Sequence, residues 1–189
     1  AVQITAQTDL RTEVEEIQAA QEIQISETEQ AVLDLLEEIG FSGPKSDSVP
    51  DTGIWTYTGK SKNRITDEIH TDETMTFLVN WDNHRVMGYE SFDVNDNNSD
   101  TGFGFGTVSE TGEITELKVL GSDANDGPVY ALNGTQTFGQ VYGNDNQAVG
   151  MAVEGYDVEI QNQNNTTFWS DILAATLTGK ASISTFSPV

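Results

Sequence analysis

Residues 134–155 read GTQTFGQVYGNDNQAVGMAVEG, two glycine-punctuated strand patterns on either side of a short polar turn. From Phe138 to Tyr142 large and small residues alternate. Gly143, Asn144, Asp145 and Asn146 supply turn chemistry, and from Ala148 to Val153 the alternation resumes with Gly150 inside it. Period-two alternation interrupted by glycine and asparagine predicts a β-hairpin. A glycine inside a strand costs stability, so several in one hairpin mark bulges, bends, or places where backbones or large side chains pack closely. Such places belong where the wall of a small barrel curves, and the hairpin is read as part of a closed or strongly curved sheet.

Working outward, the chain is β-patterned almost throughout from Ile54 onward. Candidate strands fall at 54–60, 64–70, 74–81, 84–93, 101–109, 113–121, 129–132, 135–142, 147–155, 156–162 and 172–186, of which about eight are expected to be real. Phe103, Gly104, Phe105 and Gly106 repeat the glycine-aromatic alternation, consistent with large and small residues fitting together inside a barrel. Short connections imply antiparallel up-and-down order, and closure removes the sheet edges. Residues 169–176 read equally as one helical turn capped by Ser170 or Asp171 and as the entry to the last strand.

The first quarter of the chain is different. Thr8 or Asp9 can cap a helix, with Glu13, Glu15 and Glu16 near its positive end. Leu10, Val14, Ile17 and Gln21 follow at steps of four and three, and Ile25, Thr28, Val32, Leu35 or Leu36, and Ile39 continue the stripe. Gly40 then stops it as a C-terminal cap would. Ser26 and Glu29 form a capping-box pair, so residues 1–41 are expected to be one broken helix or two, with a break near residues 24–26. The narrow stripe suits either packing on the barrel, plugging one of its ends, or self-association through residues 8–39 as an oligomeric stalk, although flanking positions almost without lysine would repel in a homodimer. Residues 42–53, SGPKSDSVPDTG, are a linker by composition. The expected fold is mainly β: an antiparallel up-and-down β-barrel of about eight strands over residues 54–189, preceded by an N-terminal helical segment.

Three motifs in this order resemble a known family. Thr56, Tyr57, Thr58 and Gly59 are similar to an opening a-t-Y-x-G strand. The run from Phe77 through Trp81, Asp82, Asn83 and His84 to Gly88 is similar to a recurring v-d-F-g-n-g-x-v-x-G hairpin. Phe138 to Gly143 followed by Ala148, Val149 and Gly150 resembles G-x-F-Y-G-x-x-A-x-x-V-G-G. All three belong to the C-terminal β-barrel of transferrin-binding-protein-like surface lipoproteins. The resemblance covers about residues 53–177, with Val141 in place of an aromatic, Met151 in place of the second glycine of the pair and His84 in place of a turn glycine. It implies a surface or secreted barrel of bacterial outer-membrane or periplasmic origin, with a host-protein ligand such as transferrin as the inherited expectation.

Charge narrows the partners. The chain of 189 residues carries 31 acidic against 8 basic side chains, a formal charge of −23. That excess argues against nucleic acid, whose phosphates need Lys and Arg, and against unaided binding to anionic membranes. It keeps a surface hydrated and suits a saline or calcium-rich setting. There is no cysteine, so disulfides, thiolate metal sites and cysteine nucleophiles are excluded. No run approaches the roughly 20 apolar residues of a membrane-spanning helix. The chain begins at Ala1 with neither an initiator methionine nor a signal-like apolar segment, and is read as a processed form or an excised piece of a larger exported protein.

Catalytic signatures are few. The two histidines, His70 and His84, sit in strand or turn contexts and read as surface residues. The nucleophile elbow, the His-Glu-x-x-His pattern and the phosphate-binding loop are all absent. Adjacent acids such as Glu15 and Glu16 do not converge on one substrate atom. Metal binding is the better chemical idea: Asp93, Asn95, Asp96, Asn97 and Asp100 gather hard oxygen ligands of the class calcium prefers. Asn98 and Gly104 stand where an EF-hand needs its glycine and its bidentate glutamate, so the alternatives are a calcium loop of another type or an ordinary Asn/Asp-rich turn. Residues 122–127, SDANDG, are a second, sparser loop of the kind. Asn164 heads a glycosylation-type triplet, read as chance. The aromatics of the barrel segment either fill its interior or leave room for one small ligand.

The expected function is therefore a non-enzymatic extracellular or cell-surface module acting in binding, adhesion or anchoring. The alternative is a carrier of a small hydrophobic, haem-like or iron-related ligand. The partner is a protein or a small molecule, with calcium as the one candidate cofactor.

Overall fold

The computed structural model describes the backbone of residues 2–71, 73–92, 99–124, 129–159 and 166–182, with the side chains of 2–6, 20–26, 91–92, 99–101, 122–124, 129–130, 159 and 166 excepted. One helix, α1 (Val2–Glu38), precedes β1 (Ile54–Asn63), β2 (Glu73–Asn80), β3 (Arg85–Phe92), β4 (Ser99–Val108), β5 (Ile114–Ala124), β6 (Val129–Tyr142), β7 (Ala148–Glu159) and β8 (Thr166–Ala181). The eight strands pair antiparallel in chain order, and β1 closes on β8 with Ile54 opposite Ala181 and Asn63 opposite Asp171. This is the expected closed up-and-down barrel.

Several boundaries differ from the sequence reading, each for a physical reason. Residues 64–70 are not a strand, because the Asn63 side-chain oxygen accepts hydrogen bonds from the backbone N–H groups of Ile65 and Thr66 and turns the chain. Ile65 and Ile69, which suggested alternation, are exposed. The breaks expected at 133–134 and 155–156 are absent, since Gly134 pairs with Gly155 in the middle of a continuous β6–β7 ladder. Residues 169–176 lie wholly in β8, whose described part ends at Ala181. The helix runs without interruption through residues 24–26. Its end is the one glycine predicts: Gly40 adopts φ 96°, the N–H of Phe41 bonds to the carbonyl of Leu36 at 2.9 Å, and that of Gly40 to Glu37 at 3.0 Å, a Schellman closure.

Inside the barrel, glycines are seats for large side chains. A Cβ on Gly88 would stand 2.9 Å from the Phe77 ring, and one on Gly134 would stand 2.5 Å from the Trp169 ring. Tyr57, Phe77, Val79, Trp81, Val141, Val149 and Met151 fill the middle and one end, all nearly inaccessible to solvent. Trp55 meets Trp81 edge-on at 5.9 Å, and the Tyr57 hydroxyl donates to the Asn146 carbonyl at 2.8 Å. Burial of that hydroxyl pushes its pKa far above the ordinary phenol value.

The linker is not loose. Ser46 is buried, its N–H bonds to the Val141 carbonyl at 3.1 Å, its hydroxyl donates to the Gly143 carbonyl at 3.1 Å, and the Gly143 N–H returns to Pro44 at 2.7 Å. The β2–β3, β4–β5 and β6–β7 turns lie at this end, which is therefore the closed, proximal one.

On the outside, the last third of α1 lies across the wall made by β6, β7 and β8. Val32, Leu35 and Leu36 are buried against Ala148, Ala152, Ile172 and Ala174, with Gly150 directly under Val32. The helix thus packs against the wall rather than plugging an end. Three of the chain's eight basic side chains hold it: Arg64 donates to the Thr28 hydroxyl at 3.0 Å, Lys45 pairs with Glu29 at 3.1 Å, and Lys62 pairs with Glu38 at 3.3 Å.

Candidate functional site

Alternation fixes what the distal end of the barrel contains. On β2, Phe77 and Met75 point inward, so Glu73 does too. On β3, β7 and β8 the same rule puts Glu90, Asp157 and Asp171 on the inner face. The segment joining β1 to β2 brings His70 beside them, anchored by its N–H to the Ser61 carbonyl at 3.0 Å. These residues surround a cavity of about 200 Å³ whose deeper walls are Met75, Phe77, Leu117, Val153, Leu173 and Trp169. The packed interior begins below it, so the barrel is filled at one end and hollow at the other.

The ring is electrostatically coupled. His70 Nε2 lies 3.7 Å from an Asp171 oxygen and its Nδ1 lies 4.0 Å from a Glu73 oxygen. Asp171 holds the proton on most strongly, Glu73 and Glu90 add to the effect, partial burial opposes it, and the imidazolium pKa is pushed up to about 9. His70 is therefore held in its protonated form at neutral pH. The acidic side chains of Glu73, Glu90, Asp157 and Asp171 and the His70 imidazolium thus line the same cavity. Just outside the wall, Lys60 donates to the backbone carbonyls of Glu73 at 3.2 Å and Thr71 at 3.4 Å. The Trp169 indole nitrogen is shut off from solvent and has no hydrogen-bond partner among the described residues.

The sequence reading singled out none of these carboxylates, and it placed His70 on the surface, whereas its side chain is only 34% exposed and lines the cavity. Asp93, Asn95, Asp96 and Asn97 lie outside the described residues. Asp100 is described by its backbone alone, in β4 opposite Asp123. The flanking strand ends, Phe92 and Ser99, belong to the cavity end of the barrel, as do Ala124 and Val129 on either side of the second Asn/Asp-rich loop. Among the described residues no three His, Asp or Glu side chains are grouped as a metal site.

His84 occupies a left-handed turn position, φ 57°, between β2 and β3 at the proximal end, far from His70 in the fold. A second, shallower depression at that end is lined by Trp55, Asn144 and Lys180, but the Lys180 ammonium already sits 4.2 Å from the Trp55 ring centroid and covers its face. No helix among the described residues is long and apolar enough to cross a membrane. No protein-family model matches the chain, and no curated protein matches it. The three motifs quoted above fall on β1, the β2–β3 hairpin and the β6–β7 hairpin.

Proposed function

We propose that this chain is a non-enzymatic binding module whose barrel takes a small, largely apolar molecule into its distal end. The observation that carries the reading is the cavity of about 200 Å³ above a packed floor, with apolar walls and polar groups gathered on one side. Its volume favours a guest smaller than a porphyrin, since pockets for drug-sized ligands span roughly 300–1,000 Å³. The non-enzymatic part is supported by the absence from the sequence of the nucleophile-elbow, His-Glu-x-x-His and phosphate-loop patterns. An exported or cell-surface setting is supported by the motif resemblance and the acidic composition.

A guest that binds only the folded state raises stability by mass action. Thermal unfolding with saturating ethylbenzene is expected to shift the midpoint upward in the native chain, and to do so far less in Val119→Phe, which fills the cavity from β5. An equal shift in both proteins would place the guest elsewhere and overturn the reading.

A second reading, a module that docks a protein, draws on the outer wall. Phe103, Phe105 and Leu120 stand side by side on β4 and β5, each about half exposed at 49, 57 and 57%, and Phe103 pairs directly with Leu120. Contiguous exposed apolar area of this kind is typical of contact surfaces.

A further inference from the structure

We infer that the outer wall made by β2 to β5 docks the N-terminal half of α1 from a second copy of this chain. This deepens the second reading above by naming its partner, and rests on it. Alternation about the inward-facing Phe77, Gly88 and Gly104 turns Leu78, Met87, Tyr89, Phe103 and Phe105 outward. The register then sets Leu78, Met87 and Phe105 in one row across the strands, and Tyr89, Phe103 and Leu120 in the next. This apolar face is one that α1 leaves uncovered, since its docked turns lie on β6, β7 and β8.

The helix offers the matching half. Leu10, Val14 and Ile17 fall at steps of four and three on one face, and every described side chain from Gln7 to Ala19 is exposed. That half of α1 therefore does not touch the β2–β5 face of its own barrel, and only another copy can bring the two together.

Charge decides how two copies meet. Asp9, Glu13 and Glu16 follow one flank of the stripe, while Arg11 on the other is already paired with Glu15 at 3.2 Å. On the wall, Lys118 stands opposite Phe105 and Arg85 opposite Thr107, both exposed along the proximal edge of the apolar rows. Of the chain's eight basic side chains, these two alone have no ion pair, hydrogen bond or ring contact among the described residues. Neither is paired with Glu116, which stands exposed at the β5 bulge. Helix against helix would set acid against acid, and wall against wall would set cation against cation. Helix against wall joins opposite signs. The molecule already uses this arrangement once: Val32, Leu35 and Leu36 lie on the β6–β8 wall while Lys45 and Lys62 hold Glu29 and Glu38.

Exchanged in both directions, the contact closes a two-fold dimer. Each half is small, so the dissociation constant is on the order of 10 µM or weaker, and dilute protein is monomeric.

The test is sedimentation velocity of the full chain from about 5 to 500 µM, with dimer expected at the upper end. A helix variant carries Leu10→Gln, Val14→Gln and Ile17→Gln, and a wall variant carries Phe103→Thr and Phe105→Thr, replacements that keep helix and strand propensity. Each should weaken self-association at least about tenfold. Mixed in equal amounts they should associate with each other more tightly than either does with itself, because one supplies the intact wall and the other the intact helix. Arg85→Gln combined with Lys118→Gln, which leaves every apolar side chain in place, should weaken association too. A native chain that stays monomeric throughout overturns the inference and leaves the wall to a different protein. A helix variant that associates as the native chain does overturns it in favour of wall against wall. A wall variant that does so strips the wall of its docking role and overturns both the inference and the second reading.

Discussion

Gln136 shows how much a single side chain supports in this wall. The β5–β6 ladder pairs regularly up to Lys118 and Thr135, after which β6 is bulged between Gln136 and Phe138 and Glu116 takes φ 57°. Across the gap the Gln136 amide accepts from the Leu117 N–H at 3.2 Å and donates to the Ile114 carbonyl, standing in for the missing rungs. Both partners belong to buried residues. Gln136→Leu keeps the bulk and strands a donor and an acceptor, each costing about 1–3 kcal/mol. We expect a loss of roughly 2–4 kcal/mol in chemical denaturation, and a loss below 1 kcal/mol would mean that water replaces the amide. His70 gives a prediction with a defined sign. Its folded pKa, about 9, lies above the unfolded value of about 6.5. The stabilisation is thus complete below the unfolded value and disappears as pH rises through the folded one. Discounted for its exposure it is on the order of 1 kcal/mol, so His70→Gln should lower the melting temperature by about 2–4 °C at pH 6 and hardly at all at pH 10. A penalty independent of pH would place the effect in packing instead.

At the scale of elements, α1 is a helix used unevenly. Its final turns are docked, whereas Leu10, Val14 and Ile17, on the same stripe, are 62, 51 and 58% exposed. Residues 10 to 39 carry the stripe in eight steps, close to the 3.6-residue period of a straight helix and longer than the 3.5 of a heptad seam. The docked part depends on smallness beneath it, since a Cβ on Gly150 would stand 2.2 Å from Val32 Cγ1. Gly150→Val should therefore release the helix and cost several kcal/mol, because each buried Val or Leu contributes about 1.5–3 kcal/mol. Deleting residues 1–26 should leave the barrel's melting temperature within about 2 °C, a change near the limit of ordinary surface effects. A much larger fall on that deletion would show that the exposed half has a partner in solution, a second copy included. The stripe and its glycine stop were readable in the sequence because period and capping are local. The burial of Ser46 was not, since a segment rich in Pro, Gly and Ser reads as a linker until its backbone meets Val141 and Gly143.

At the scale of the whole molecule, the closed barrel was legible because glycine-aromatic alternation, polar turns and even spacing recur along the chain, each pointing to the same curved sheet. The carboxylate ring was not. Glu73, Glu90, Asp157 and Asp171 come from four strands, and only the closure of β1 on β8 makes them neighbours. The same chain-wide view governs charge. A net −23 is self-repulsion that salt screens, over about 10 Å at 0.1 M. We expect the melting temperature to rise from about 10 to 500 mM NaCl, and a fall would mean that the ion pairs of Lys45 with Glu29 and Lys62 with Glu38 outweigh the repulsion. The central claim, a barrel filled at one end and receptive at the other, is tested most directly by methyl NMR of the native chain titrated with ethylbenzene. Shifts confined to Met75, Leu117, Val119, Leu132, Val153 and Leu173, with Val79, Val141 and Val149 unmoved, are the predicted result. Perturbations absent from the first set, or centred instead on the outer-wall residues around Leu120, would contradict it.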